Sequence, residues 1–374
     1  MTEARELCQH TETALVVDPL NPCCPVGSMY AAFGLHGGLP LSHGASGCCR
    51  FQRMELSKHF QKVVHVPSSM LRDRAAAFGG EPELAEAVAN VFRLYDPDVL
   101  VIGTTCLSET MGDDMAGIVR RLDIPEGKRV VWASIPGYGG SHLKGYAQTV
   151  EAVIRQLGFA EAADGDARDE GRLCLLPGWM NPCDVDVAAR YAEALFDRVT
   201  VLPDVRDVFD VRTPGSPAHY APGGTPLREI ETLGGCGAAV ALGHDATHRA
   251  AQVLGELAGP RGCTVREGLL PVGISATDAF VGMLAEISGR SVPAWIARER
   301  TRMVDCLLQV APELYGKRAL VCCDADLAAA LASFCRGRRC GARVRRTPAR
   351  ERRPAHLLRG PDGRRPPDGR GAPA

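Results

Sequence analysis

An α/β architecture of doubly wound parallel sheets follows from three features of the 374-residue sequence. Short, continuous apolar runs such as Asp98–Gly103 (DVLVIG) have the pattern of strands buried on both faces. Segments with helical periodicity alternate with them, as repeated βα units require. Gly- and Pro-rich loops follow the strands, at the edge where open α/β sheets bind ligands.

In chain order, residues 1–20 form an arm without a clear pattern. A turn at Cys23-Cys24-Pro25-Val26-Gly27 leads to an apolar stretch, Met29 to Leu35, and a turn at Gly37-Gly38. A second Cys turn, His43-Gly44-Ala45-Ser46-Gly47-Cys48-Cys49, precedes a helix expected over Phe51–Phe60. Glu83–Tyr95 reads as an amphipathic helix with Leu84, Val88, Val91, Phe92 and Tyr95 inward, stopped by Asp96-Pro97. The strand Asp98–Gly103 then runs into Thr104-Thr105-Cys106-Leu107-Ser108-Glu109. Arg129–Ala133 is expected as a strand followed by the loop Pro136–His142, and Tyr146–Leu157 as a helix.

After a polar linker (160–171), strands are expected at Arg172–Leu176, Val199–Leu202, Ala238–Leu242 and Gly268–Val272. Helices are expected at Val185–Phe196, Ser275–Ile287 and Trp295–Val310. A third alternation opens with strand Arg318–Val321 and helix Leu327–Phe334 and goes no further. The reading is thus a first domain over 1–165 carrying the Cys loops, a second over 166–316, the start of a truncated third over 317–335, and a tail over 336–374.

That tail holds thirteen Arg, no Lys and three acidic residues; its charge of +10 leaves about −11 for the rest of a chain whose net charge is −1. It has no aromatic residues and no helical period, so nucleic-acid binding is not the expectation. Its Arg/Pro/Gly composition reads as disordered, either through a shifted reading frame in GC-rich coding DNA or as a native tail. No apolar run has membrane-spanning length and the start lacks a secretory pattern, so the expected location is cytoplasmic.

Fifteen cysteines in a reducing compartment argue against a disulfide framework. Cys23, Cys48 and Cys106 lie on separate turns, without the C-x-x-C spacing of a zinc knuckle or ferredoxin run. Each offers a thiolate beside Gly or Pro, where backbone can approach a bulky inorganic object. Singly, each reads as a core thiol; three such loops together suit a large iron–sulfur cluster shared with another subunit. Cys174, Cys183, Cys236, Cys263, Cys306 and the Cys322-Cys323 pair read as core, His59 and His142 as structural. Asp113-Asp114 reads as capping or solvating a helix start. The loop Pro136–Ser141 lacks P-loop spacing, so nucleotide binding is not expected.

Over roughly residues 20–335 the sequence resembles the beta subunit of nitrogenase component 1, most closely the vanadium type. The motifs are Asn21-Pro22-Cys23 with Pro25-Val26-Gly27, His43-Gly44 with Gly47-Cys48, Ser57-Lys58-His59-Phe60, Phe78-Gly79-Gly80 and Thr104 through Thr110 with Gly112-Asp113-Asp114. Gly140-Ser141-His142, Leu202-Pro203-Asp204, Pro222-Gly223-Gly224, Ala241-Leu242-Gly243 and Pro271–Ala279 follow in order. The resemblance implies Rossmann-like domains and an α2β2 core. It also implies an eight-iron (8Fe-7S) P-cluster at the interface with an alpha subunit, with Cys23, Cys48 and Cys106 as ligands from this side. The cluster would relay electrons from an ATP-hydrolysing iron protein to a cofactor in the alpha subunit, where dinitrogen is reduced; a delta subunit is a possible further partner. Thr104, Thr105 and Ser108 are candidate groups around the cluster sulfurs. Several departures accompany the likeness, among them Ala45-Ser46 where the family has Ser-Gln and a C-terminal domain that is nearly all missing. The family's P-cluster serine falls on Gly137, Cys24 stands where the family has Gln, and Gln61-Lys62 replaces the Arg-Glu of the molybdenum type. Alternative readings are a nitrogenase-like reductase for other small molecules such as methylthio-alkanes, a cofactor-assembly scaffold, and a truncated, nonfunctional product.

Overall fold

The computed structural model describes residues 21–158, 168–209, 223–259, 262–337 and 341–344. The elements run α1 (Cys24–Phe33), β1 (Gly38–His43), α2 (Ser46–Phe60), α3 (Asp73–Phe78), α4 (Glu81–Tyr95), β2 (Val99–Thr104), α5 (Cys106–Met111), α6 (Met115–Arg121), β3 (Arg129–Ala133) and α7 (His142–Leu157). They continue β4 (Asp169–Leu176), α8 (Pro182–Glu193), β5 (Arg198–Val201), α9 (Leu227–Glu231), β6 (Cys236–Leu242), α10 (His244–Ala258), β7 (Thr264–Gly268), α11 (Gly273–Ser288), α12 (Ala294–Leu314), β8 (Arg318–Val321), α13 (Ala325–Gly337) and β9 (Gly341–Val344). Three all-parallel sheets result, ordered β1-β2-β3, β5-β4-β6-β7 and β8-β9.

The expected doubly wound character is visible in the first sheet. Leu39, Leu41, Leu100 and Ile102 pack on one face against Leu84, Val88, Val91 and Phe92 of α4. Val99, Val101 and Val131 face the other way, into a core shared with α1, α7 and the second sheet. That shared core makes the first two sheet units one body of packed apolar side chains. An aromatic stack reinforces it: Phe60 and Phe209 lie 4.0 Å apart, Tyr30 stacks on Phe209 at 5.3 Å, and the Tyr30 hydroxyl donates to the Met180 carbonyl at 2.6 Å.

Several expectations need correction. β1 carries no strong apolar run (GLPLSH) and was not expected; it forms because β2 offers six parallel partners, Gly38↔Val99 to His43↔Thr104. α10 was likewise unexpected, and its apolar positions face the shared core. The last strand of the second sheet is Thr264–Gly268, not Gly268–Val272. It is an edge strand and can therefore carry the polar Arg266 and Glu267, whereas the apolar Leu269-Leu270-Pro271 leads into α11. The Arg-rich stretch was expected to lack regular structure, yet α13 runs to Gly337 and β9 pairs with β8 over Arg318↔Gly341 to Val321↔Val344. Strand pairing uses backbone groups that every residue except Pro carries, so composition alone missed it. The remainder of the tail, residues 345–374, lies outside the described residues, as does the expected arm over 1–20.

Two constraints set the loops at the carboxyl edge of the first sheet. The first is the crossing of α1 and α7. A Cβ on Gly27 would overlap the His142 carbonyl oxygen, and one on Gly145 the Cys24 carbonyl oxygen. The helix starts are also tied directly, by the His142 N–H donating to the Pro22 carbonyl (2.8 Å) and by an antiparallel bridge between Cys23 and Ser141.

The second is a buried polar knot. His43, fully buried at the end of β1, contacts the Ser69 hydroxyl through Nδ1 (2.9 Å) and the Asp113 carboxylate through Nε2 (3.1 Å). Asp113 also accepts from the Gly80 N–H at 3.0 Å, and the Thr105 and Ser108 hydroxyls donate to the His43 carbonyl at 3.0 and 2.9 Å. Of the two expected caps only Asp114 caps a helix, accepting from the Gly117 N–H at 3.0 Å at the start of α6. Burial pushes the His43 imidazole below its ordinary value, opposed by its hydrogen bond to Asp113.

Gly145→Ala should therefore cost about 1–3 kcal/mol or more through backbone displacement, read by denaturant unfolding. Gly282→Ala, with open space around its position, should be neutral or stabilising by up to about 1 kcal/mol. Equal effects of the two would show that the crossing does not depend on the missing side chains. For His43, the unfolded chain takes up the proton first as pH falls through about 6.5. Stability should be complete above about that value and be lost progressively as pH falls below it. His43→Gln should be less stable at pH 7.5 but show a flatter decline; an unchanged slope would exclude His43 as its source.

Candidate functional site

Each thiol begins or opens a helix. Cys23 is the residue before α1, Cys48 lies in the first turn of α2, and Cys106 is the first residue of α5. The Cys48-Cys49 pair was expected in a turn, but α2 starts at Ser46 and takes in both. The Cys48 and Cys106 turns leave the carboxyl ends of β1 and β2. The turn at Gly137–Gly139 leaves that of β3, and Cys23 arrives from α1, which the α7 crossing fixes in place.

The structure brings these thiols to one region. A Cβ on Gly137 would lie 3.2 Å from Cys106 Sγ and 3.3 Å from Cys23 Cβ. Burial pushes the Cys23 thiol up; the Cys106 sulfur adds to this, a Gln52 side-chain hydrogen bond opposes it, and Cys48 contributes further. Cys48 is also pushed up by burial and then by Cys106. Cys48 and Cys106 are exposed and Cys23 half-buried, so the thiols meet at the protein surface. Among the described residues their sulfurs do not gather tightly enough to grip a single ion. A surface-open donor set of three soft thiolates fits a multi-iron body covered by another chain, and does not fit a closed mononuclear centre.

The neighbouring cysteines turn inward. Cys24 packs with Ala133 and Ile135, and burial pushes its thiol up to about 12. Cys49 donates to the Val66 carbonyl at 3.3 Å. Thr104, Thr105 and Ser108 use their hydroxyls to hold the Cys106 turn. Thr104 donates to Glu109 (2.6 Å) and accepts from the Ile135 N–H (2.8 Å), and Ser108 accepts from the Thr105 N–H (2.9 Å).

Two residues outside the expected set belong to the site's framework. Glu109 accepts from Thr104 and from Ser134 (2.6 Å), joining the loops after β2 and β3. Gln52, buried beside Cys23, accepts from Ser42 at 3.3 Å. Its place four residues after Cys48, on the same face of α2, is the signal that could have found it.

The remaining expected core thiols divide. Cys174 and Cys236 are buried and Cys263 is half-buried, whereas Cys183, Cys306 and Cys322 are exposed. The Cys322-Cys323 expectation fails because the strand ends at Val321. His142 is buried, its Nε2 lies 3.4 Å from Asp324 and its ring edges onto Trp179, while its buried Nδ1 has no hydrogen-bond partner among the described residues. It borders a cavity of about 1080 Å³ between α8, α11 and α12. No described helix is long and apolar enough to cross a membrane.

The chain is similar to known proteins in sequence and fold. The family model for nitrogenase component 1 type oxidoreductases matches residues 23–362. The molybdenum-iron protein beta chain of Clostridium pasteurianum is 35% identical over 325 residues, 86% of this chain and 69% of that one. The corresponding Bradyrhizobium diazoefficiens chain is 30% identical over 330 residues, 86% of this chain and 63% of that one. A solved structure of nitrogenase Cp1 at pH 6.5 superposes with a TM-score of 0.81 at 34% identity, covering 91% of this chain and 73% of its own. With its parallel sheets, its thiol-bearing edge and a family match over most of its length, the chain belongs to the nitrogenase component 1 type oxidoreductases, on the beta-chain side.

Proposed function

We propose that the chain is the beta subunit of a nitrogenase component 1. It shares an eight-iron P-cluster with an alpha subunit and passes electrons from an ATP-hydrolysing iron protein towards the partner's active-site cofactor for dinitrogen reduction. The observation that carries this reading is the position of Gly137 beside both Cys106 Sγ and Cys23 Cβ. The family's cluster-facing serine aligns there, so three separately aligned motifs agree in space. Cys23, Cys48 and Cys106 would hold the cluster, and the bound group would supply one-electron chemistry at a potential set by its surroundings.

The chain's own residues have defined tasks in this reading. The α1–α7 crossing fixes Cys23, and Glu109 with the Thr105 and Ser108 bonds fixes Cys106. Gln52 supplies a hydrogen bond that favours the Cys23 thiolate. Clustered thiolates repel one another, and a cationic iron body offsets that repulsion.

The α2β2 core, a possible delta subunit and the vanadium type belong to this proposal. Gln61-Lys62, in place of the molybdenum-type Arg-Glu, supports the last. The relatives named above are molybdenum-iron chains, so metal analysis of the purified complex is the discriminating measurement. We also propose domains over 1–165 and 166–316 and a third unit from 317, which runs past 335 because β9 (Gly341–Val344) pairs with β8. Gly137 itself favours a second reading, a related reductase whose cluster works at a different potential on another small molecule.

Co-produced with its alpha partner, Cys106→Ala should lose most of the interface iron, while Cys174→Ala, buried in the second sheet, should lose packing stability only. Unchanged iron in the Cys106 variant would sink the ligand assignment. Gly137→Ser should lower the potential of the cluster's oxidation couple, because an anionic oxygen favours the oxidised form. An unshifted potential would show that residue 137 does not face the cluster.

A further inference from the structure

A second cluster of ligating side chains lies at the carboxyl end of the second sheet. His244 and His248 are one turn apart on α10, and Glu267 is on the adjoining edge strand β7, where it pairs with Ala241 of β6. Among the described residues this is the group of His, Cys, Asp and Glu whose ligand atoms all fall within 4.8 Å of one another. His248 Nδ1 lies 2.8 and 3.0 Å from the two Glu267 oxygens, His244 Nδ1 lies 3.3 Å from one of them, and the imidazole rings are 4.4 Å apart.

We propose that His244, His248 and Glu267 form a binding site for a divalent transition-metal ion of the zinc class. Zinc is bound at about 2.0–2.2 Å by imidazole nitrogen and carboxylate oxygen, which puts neighbouring ligand atoms of a tetrahedral site roughly 3.3 Å apart. The observed nitrogen–oxygen separations of 2.8–3.3 Å are close to that spacing, so a metal could enter with shifts of a few tenths of an ångström. Two neutral imidazoles and one carboxylate carry a charge of −1, suited to a divalent cation. The borderline donor set selects zinc-like ions over calcium or magnesium.

The ligands are fixed by bonds that do not depend on a metal. The Gly243 N–H donates to the Gly268 carbonyl at 2.9 Å, tying the turn before His244 to the residue after Glu267. Asp326 caps the first turn of α10, accepting from the Asp245 and Ala246 N–H groups at 3.0 Å each. The Thr247 hydroxyl bonds the Gly243 carbonyl. Such fixing of the supporting backbone distinguishes a ligand set from a chance ion pair. All three side chains are solvent-accessible, which leaves the fourth position to water. The ion would clip the start of α10 to the sheet edge, a site separate from Cys23, Cys48 and Cys106.

The test titrates zinc chloride into the full chain, with calorimetry and zinc analysis after dialysis. The wild-type protein should retain one zinc equivalent more than either His248→Asn or Glu267→Gln. X-ray absorption should assign that equivalent a nitrogen/oxygen shell at about 2.0–2.1 Å. Loss of even an outer partner of a metal site weakens affinity 10–100-fold, so each variant should lose roughly tenfold or more at this site. Circular dichroism should be unchanged, since both side chains are partly exposed. Equal zinc retention by wild type and both variants would overturn the proposal. So would finding that the equivalent lost in the variants is bound through sulfur, at about 2.3 Å.

Discussion

The approach of α1 to α7 is the constraint on which the thiol-bearing edge depends. Two helices that meet at Gly27 and Gly145 bring backbone against backbone, with carbonyl oxygens of each helix occupying the space where the other would carry a methyl group. At that distance the helices cannot slide or rotate independently, because protein interiors accommodate displacement poorly. Cys23 is the residue before α1 and Ser141 the residue before α7, and the two bridge directly. The thiol is therefore positioned by a helix crossing rather than by its own loop. Without it, Cys23 would have no fixed relation to Cys106, which belongs to a different βα unit.

The other two thiols are held by polar groups buried under the sheet edge. His43 connects the end of β1 to the loops bearing Ser69, Gly80 and Asp113, and its carbonyl receives the hydroxyls of Thr105 and Ser108. Glu109 performs the same service between the loops after β2 and β3. Buried polar groups of this kind are costly unless every partner is present, which is why a satisfied network specifies one arrangement of its loops. The edge is thus rigid beneath and open above. Cys48 and Cys106 remain exposed above it.

The second sheet repeats the architecture with different contents. Its pairs are apolar along Leu173–Leu176 of β4 and Ala238–Leu242 of β6, while polar residues sit at the start of β4, on β5 and on the edge strand β7. Buried Arg172 braces it, bonding the Thr232 and Glu229 carbonyls and the Thr200 hydroxyl at 2.9–3.2 Å. Placing His244, His248 and Glu267 at the corresponding carboxyl edge follows the rule that open α/β sheets present their ligating groups there.

The sequence by itself determined the α/β class and the buried strands with continuous apolar runs. Arg129–Ala133 and Arg318–Val321 were legible to the residue from their short apolar runs, although β8 leaves Arg318 and Leu320 exposed. The amphipathic α4 was legible from its period, with Leu84, Val88, Val91 and Phe92 buried as read. The tertiary structure alone decided which elements needed a partner to exist or to have meaning. β1 is a strand because β2 lies beside it, β7 is polar because it forms an edge, and Asp113 serves His43 seventy residues away rather than its own helix. The same holds for the convergence of Cys23 and Cys106 on Gly137 and of His244 and His248 on Glu267. Local pattern records the environment each residue needs, whereas long-range pairing fixes which residues provide it for one another.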